Sequence, residues 1–286
     1  MSMGVVFPQT EIGSDPVAIK EYVQAVEALG YTHLVAYDHV LGALPRGEWG
    51  QRYSYHDMFH EPLVLFGYLA AITNTLELVT DVMILPQRQT ALVAKQAAEV
   101  DILSNGRLRL GVGIGWNYVE YEALGKSFVD RGNRIEEQIA LLRELWTNEL
   151  VTFQGEHEVI QQAGLNPLPI QRPIPIWMGG GAQRVLRRIV EVADGWFPMM
   201  PVKDVRDALV YMFDYAKTIG RDPKTIGIEG SISIANKTPD QWLELAQAWR
   251  SIGVSHILIN TMRSGLTSPQ SHIDVIRKFK ETVDNY

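Results

Sequence analysis

Short apolar runs bounded by turn-forming residues alternate along this chain with longer segments whose apolar positions recur at helical spacing. The first run, 3–7, predicts a strand. A helix over 16–29 follows, with Asp15 placed to cap it, Pro16 in its first turn and Gly30 as its stop. A second strand is predicted at 33–37, leading into a polar and aromatic stretch over 41–61. A helix over 62–73, a third strand at 76–83, a helix over 91–103 and a fourth strand at 108–113 continue the pattern. The segment 134–146 reads as a helix with Leu141, Leu142 and Leu145 on its buried side, and 151–159 as a small hairpin around Gln154-Gly155. Beyond it come a fifth strand at 174–178, a helix over 182–192, a short sixth strand at 195–197 and a helix over 202–219. The run 226–234 alternates as a seventh strand. Thr238-Pro239-Asp240-Gln241 then forms a capping box, starting a helix that runs to Ile252. An eighth strand at 256–259 and a helix over 269–283 close the pattern.

Eight strands separated by helices is the count for a closed barrel, although alternation alone also fits an open doubly wound sheet. No linker, internal repeat or shift of composition divides the chain. The expected fold is therefore α/β, a single (β/α)8 TIM barrel over 1–286 with loop insertions at its C-terminal face. Apolar residues make up 46% of the chain, enough for a large core. A formal net charge of −7 argues against a general nucleic-acid binder. The absence of cysteine excludes disulfides, thiolate catalysis and iron–sulfur clusters. Residues 1–9 lack the pattern of a signal peptide and no run approaches the length of a membrane span, so a cytoplasmic location is expected.

In a barrel the chemistry belongs to the C-terminal strand ends and the loops after them. The second strand ends in Tyr37-Asp38-His39, a carboxylate beside an imidazole and so a candidate acid/base unit, as well as an ordinary capping Asp with a solvated His. The fourth ends in Gly111-Val112-Gly113-Ile114-Gly115-Trp116-Asn117. A dinucleotide-binding turn would need its third glycine where Trp116 stands, so that reading is rejected. The fifth runs Trp177-Met178-Gly179-Gly180-Gly181-Ala182-Gln183 into a helix, leaving backbone N–H groups free at a positive helix end, a geometry for phosphate. Arg184, Arg187 and Arg188 stand ready to add charge. The aromatic insertion 41–61, with Trp49, Tyr53 and Phe59, suits a substrate lid or a dimer contact. His56 and His60 lack an evident third ligand, and no metal is expected.

These residues resemble the bacterial luciferase-like superfamily, specifically its deazaflavin-dependent branch, which uses coenzyme F-420 (an 8-hydroxy-5-deazaflavin). The resemblance rests on Leu85-Pro86-Gln87-Arg88, Ala94-Lys95-Gln96-Ala97-Ala98 and Asp101-Ile102-Leu103-Ser104-Asn105-Gly106-Arg107. It continues through Leu110 to Asn117, Pro175 to Gly181 and Ala193-Asp194-Gly195-Trp196. It implies a barrel, with Asp38 and His39 as the active-site pair, a non-prolyl cis peptide at Asp81-Val82 behind the ring, and Gly179, Gly180 and Gly181 as the phosphate loop. The branch's sugar-phosphate dehydrogenases carry a catalytic Glu where this chain has Trp116, which argues against sugar-phosphate oxidation.

The expected activity is hydride transfer between coenzyme F-420 and a small organic substrate, with His39 moving the proton and Asp38 orienting. Cofactor contacts are expected at Thr80, Asp81, Val82, Gly113, Gly115, Asn117, Met178, Gly179, Gly180, Gly181, Ala182 and Gln183, and substrate contacts at Trp49, Trp116 and Trp196. The alternatives are an FMN-dependent two-component monooxygenase and a non-catalytic flavin-binding barrel. The expected partner is a second copy of the chain, as a homodimer, with neither nucleic acid nor membrane.

Overall fold

A ring of parallel strands closes on itself, which settles the choice between barrel and open sheet. The computed structural model describes residues 1–47 and 53–284. In chain order come β1 (Ser2–Val6), α1 (Pro16–Ala28), β2 (His33–Ala36), α2 (Pro62–Ile72), β3 (Glu77–Thr80), β4 (Met83–Ile84) and α3 (Thr90–Leu103). Next are β5 (Leu108–Gly113), α4 (Tyr118–Ala123), α5 (Arg131–Thr147), β6 (Val151–Gln154), β7 (Val159–Ala163), β8 (Ile176–Gly179) and α6 (Gln183–Val192). The chain ends with β9 (Gly195–Phe197), α7 (Val202–Thr218), β10 (Gly227–Ser233), α8 (Pro239–Ser251), β11 (His256–Asn260) and α9 (Pro269–Asp284).

The strand order is β3-β2-β1-β11-β10-β9-β8-β5, and a β3–β5 pairing joins the ends. The third predicted strand is broken in two: the Asp81-Val82 peptide is cis, and the chain resumes as β4, paired with β5. The predicted hairpin is β6 and β7, antiparallel and longer than its sequence suggested. Helix α4, absent from the sequence reading, is capped by Asn117, whose side chain accepts from the Val119 N–H at 3.2 Å. The capping signals formed as expected: Asp15 accepts from the Val17 N–H at 3.0 Å, and Thr238 and Gln241 complete their reciprocal pair.

Two apolar regions hold this together. The larger lies between the barrel and its helices, and each fully buried Leu, Ile or Val in it contributes about 1.5–3 kcal/mol relative to exposure. The smaller fills the lumen. Alternate residues on a strand face the same side, so the inward set can be read off by twos. Near the N-terminal end that set is charged: Glu229 lies 2.5 Å from His33 and accepts from Arg109 at 2.9 Å, and Arg109 also donates to Glu77 at 2.8 Å. Above it Val6, Val35, Val79, Trp177, Phe197, Leu258 and Met262 form a hydrocarbon plug. Above the plug, at the C-terminal ends, stand Tyr37, Asp81, Gly113 and Gly179, and there the lumen opens.

Candidate active site

The opening is a cavity of about 390 Å³, within the range of small-molecule and cofactor sites. Its walls are the strand ends: Tyr37 to His39 after β2, Asp81 and Val82 at the bulge after β3, Gly113 to Trp116 after β5, and Gly179 and Gly180 after β8. Two glycines show why the sequence needs them. A Cβ on Gly113 would lie 2.5 Å from the Val82 side chain, so the bulge and β5 can approach only without one. Gly180 has φ +127°, a conformation that side chains resist, and there the chain turns from β8 toward α6.

The Asp38–His39 pair separates in three dimensions, as adjacent residues at a strand end do. Asp38 faces away from the imidazole. Its Oδ1 accepts from Arg88 at 2.7 Å and its Oδ2 accepts from the Ile84 N–H at 2.9 Å. Arg88 also donates to Glu61 at 3.0 Å. Asp38 therefore ties the loop after β2 to β4 and to the start of α2. It touches the cavity, but its carboxylate is committed.

His39 has a different partner. Its Nδ1 lies 3.3 Å from Oε1 of Glu120, a buried residue of α4 that also accepts from the Leu41 N–H at 3.1 Å. The carboxylate fixes the ring's orientation and favours the tautomer protonated at Nδ1, which leaves Nε2 to exchange a proton with a ligand. Phe59, Tyr53 and Trp116 pack around the imidazole with ring centroids 4.7, 5.5 and 5.5 Å away. Glu120 was not among the sequence candidates. Its signal was the spacing Asn117-x-x-Glu120 of a helix start, and the acid turns to His39 instead of back to the cap.

The other expected contacts divide clearly. Asp81, Val82, Gly113, Gly115, Gly179, Gly180 and Trp116 line the cavity. Thr80, Asn117 and Met178 are buried off it: Thr80 donates to the Gly111 carbonyl at 2.7 Å, and Met178 packs into the core outside the barrel. Trp196, expected beside the substrate, is a fully buried core residue, and its indole N–H donates to the Gly180 carbonyl at 2.6 Å, bracing the glycine turn. Trp49 lies outside the described residues.

Gly181, Ala182 and Gln183 continue from the cavity edge into α6, whose N-cap, Ala182, makes no side-chain cap bond. The first N–H groups of a helix lack intrahelical partners, so this end is open to an anion. Arg187 and Arg188 do not serve it. Arg188 donates to Glu136 and to the Gly132 carbonyl, both at 2.6 Å, and Arg187 packs over Tyr211 and Tyr215. A planar ring with a phosphate tail fits these walls: the glycines leave room for its face, and Oδ1 of Asp81 is a buried polar atom without a hydrogen-bond partner among the described residues.

Comparison with known proteins agrees with this architecture. A family model described as luciferase-like monooxygenase matches residues 1–280. An uncharacterised protein of Mycobacterium tuberculosis is 38% identical over 183 residues, 60% of this chain and 62% of that protein's length. The FMNH2-dependent dimethylsulfone monooxygenase of Pseudomonas fluorescens is 33% identical over 48% of this chain and 38% of its own. Among solved structures, a secondary alcohol dehydrogenase dependent on coenzyme F-420, in complex with a cofactor–acetone adduct, superposes with a TM-score of 0.78. The match covers 99% of this chain and 98% of that one at 16% identity, a likeness of fold.

Proposed function

This chain belongs to the luciferase-like monooxygenase family, and from that premise we propose that it moves a hydride between coenzyme F-420 and a small organic substrate in the barrel mouth. The observation that carries the reading is a single continuous surface: a cavity walled by Gly113, Gly115, Gly179 and the Asp81-Val82 bulge, leading to the uncapped start of α6. The glycine walls would hold the ring and the N–H groups after Gly180 its phosphate. When bound, the deazaflavin supplies a carbon that gives or accepts a hydride.

The chain's own residues then have three tasks. Walls and helix end fix the ring so that donor and acceptor carbons are aligned. His39 holds or moves the substrate's proton at Nε2, and Glu120 offsets the charge that His39 gains. Phe59, Tyr53 and Trp116 keep water away from the imidazole, which strengthens that pairing. Asp38 acts through Arg88 and the backbone of β4, not on the substrate.

The FMN-dependent monooxygenase reading draws on the Pseudomonas relative. Titrating the purified protein with coenzyme F-420 and with FMN, followed by fluorescence, separates the two. Coenzyme F-420 is expected to bind at least about tenfold tighter, a difference of about 1.4 kcal/mol. The reverse preference, with oxygen uptake on adding reduced FMN, overturns the proposal in favour of the monooxygenase. We place the protein in the cytoplasm as a homodimer. Helix α2 is apolar on nearly every face, yet Val64 is 71% exposed, a surface that a second copy would cover. Sedimentation velocity distinguishes that dimer from a monomer.

A further inference from the structure

Among the described residues, one buried carboxyl oxygen in the lumen stands apart from its neighbours. Glu77, Val79 and Asp81 are the inward residues of β3 and the bulge after it. Glu77 has Arg109. Asp38, one residue from the inward Tyr37, has Arg88 and a backbone N–H. Tyr37 accepts from Asn260 at 3.2 Å. Asp81 lines the cavity, yet its Oδ1 is buried without a hydrogen-bond partner among the described residues.

Taking the cavity as the site of a flavin-type ring, we propose that Asp81 is a neutral carboxylic acid that donates a hydrogen bond to an acceptor edge of that ring. The affinity of the site then depends on one proton.

The surroundings support the neutral form. The plug of Val79, Trp177 and Phe197 separates this level from water on the N-terminal side. Of the charged groups that bear on the carboxyl, Glu229 on β10 opposes its ionisation and Arg109 on β5 favours it. Arg109, however, is already shared between Glu229 and Glu77. Tyr37, just after β2, is itself pushed well above its ordinary range by burial, with Asp81 adding to the shift, so it brings no charge. His33 and His256 lie lower, beside Glu229. Burial is the largest influence, Glu229 adds to it, and together they raise Asp81 to about 7. A neutral acid needs an acceptor, and the carbonyl oxygens and ring nitrogens of a flavin-type tricycle are acceptors. An anionic Asp81 would face those same atoms with like partial charge.

The test measures the dissociation constants of coenzyme F-420 and FMN from pH 6 to pH 9 for the wild type and for Asp81→Asn, which keeps a donor but cannot ionise. Ionisations of the ligand weigh equally on both proteins, so the difference isolates Asp81. Wild-type affinity is expected to fall up to about tenfold more per pH unit above 7 than that of the variant, with the two similar at pH 6. Infrared titration of the ligand-free wild type is expected to show a protonated carboxyl lost with a midpoint near pH 7 and missing from Asp81→Asn. Equal pH slopes in the two proteins, or a carboxyl already ionised at pH 5, overturns the role of Asp81 and leaves the proposed function standing. If neither ring binds either protein at pH 6, the proposed function falls and this role falls with it.

Discussion

At the scale of single residues, chemistry and structure have been divided between neighbours. Asp38 and His39 are adjacent in sequence, but one neutralises Arg88 and the other meets Glu120. The dipeptide was legible as a candidate, whereas the carboxylate that meets His39 was not, because Glu120 is 81 positions away. Pairing the imidazole with a buried carboxylate fixes its orientation for the proposed proton transfer, and general acid–base groups contribute about 10²- to 10⁴-fold to rates. Glu120→Gln keeps the hydrogen-bonding shape and removes that charge. Turnover is expected to fall about 100-fold, while fluorescence titration shows cofactor affinity changed by no more than about twofold. A variant that binds and turns over normally would mean that Glu120 only supports the Leu41 loop.

At the scale of elements, one stretch that carries the family resemblance, 101–107, lies away from the cavity. Asp101 accepts from the N–H groups of Ile170 and Gln171, and Arg107 donates to the carbonyls of Ala70, Thr73 and Leu76. Both fasten the loops at the other end of the barrel. The glycine turn and the start of α6 are by contrast the proposed phosphate site, and they were legible as a candidate because a strand, three glycines and a helix in sequence leave the first N–H groups of the helix without intrahelical partners. Ala182→Asp tests this element. A carboxylate at an N-cap stabilises a helix by about 0.5–2 kcal/mol relative to Ala, and here it would occupy the N–H groups that a phosphate needs. The variant is expected to melt at a higher temperature and to bind coenzyme F-420 about tenfold more weakly. Its affinity for the same ring without the phosphate should be unchanged. Equal weakening for both ligands would place the phosphate elsewhere.

At the scale of the whole molecule, the barrel encloses ionisable groups whose titration links pH to stability. Burial opposes the ionisation of Glu229, but His33 and Arg109 outweigh it and hold the acid at about 2. Its contribution is present above the ordinary carboxyl range and lost as pH falls toward 2. Burial lowers His256 and His272 to about 4, so the unfolded chain takes up their protons first and stability falls as pH drops from about 6.5 to 4. Asp81, raised to about 7, acts in the opposite sense: the folded protein keeps that proton longer, and stability is lost as pH rises from about 4 to 7. Urea unfolding from pH 7 to pH 3 should therefore show a net decline, and the decline should be shallower between 6.5 and 4 for His272→Gln. A variant curve parallel to the wild type would exclude His272 from the linkage. The order and type of the elements, apart from α4 and the break between β3 and β4, were determined by the sequence itself, because helical and strand periods, caps and glycine stops are local and act within a few residues. Tertiary structure alone decided that the sheet closes, that Trp196 braces a turn from within the core, that Glu120 meets His39, and that Oδ1 of Asp81 is left without a partner among the described residues. Ring closure, desolvation and ion pairing depend on neighbours supplied by other strands, and no local pattern in one strand encodes what faces it.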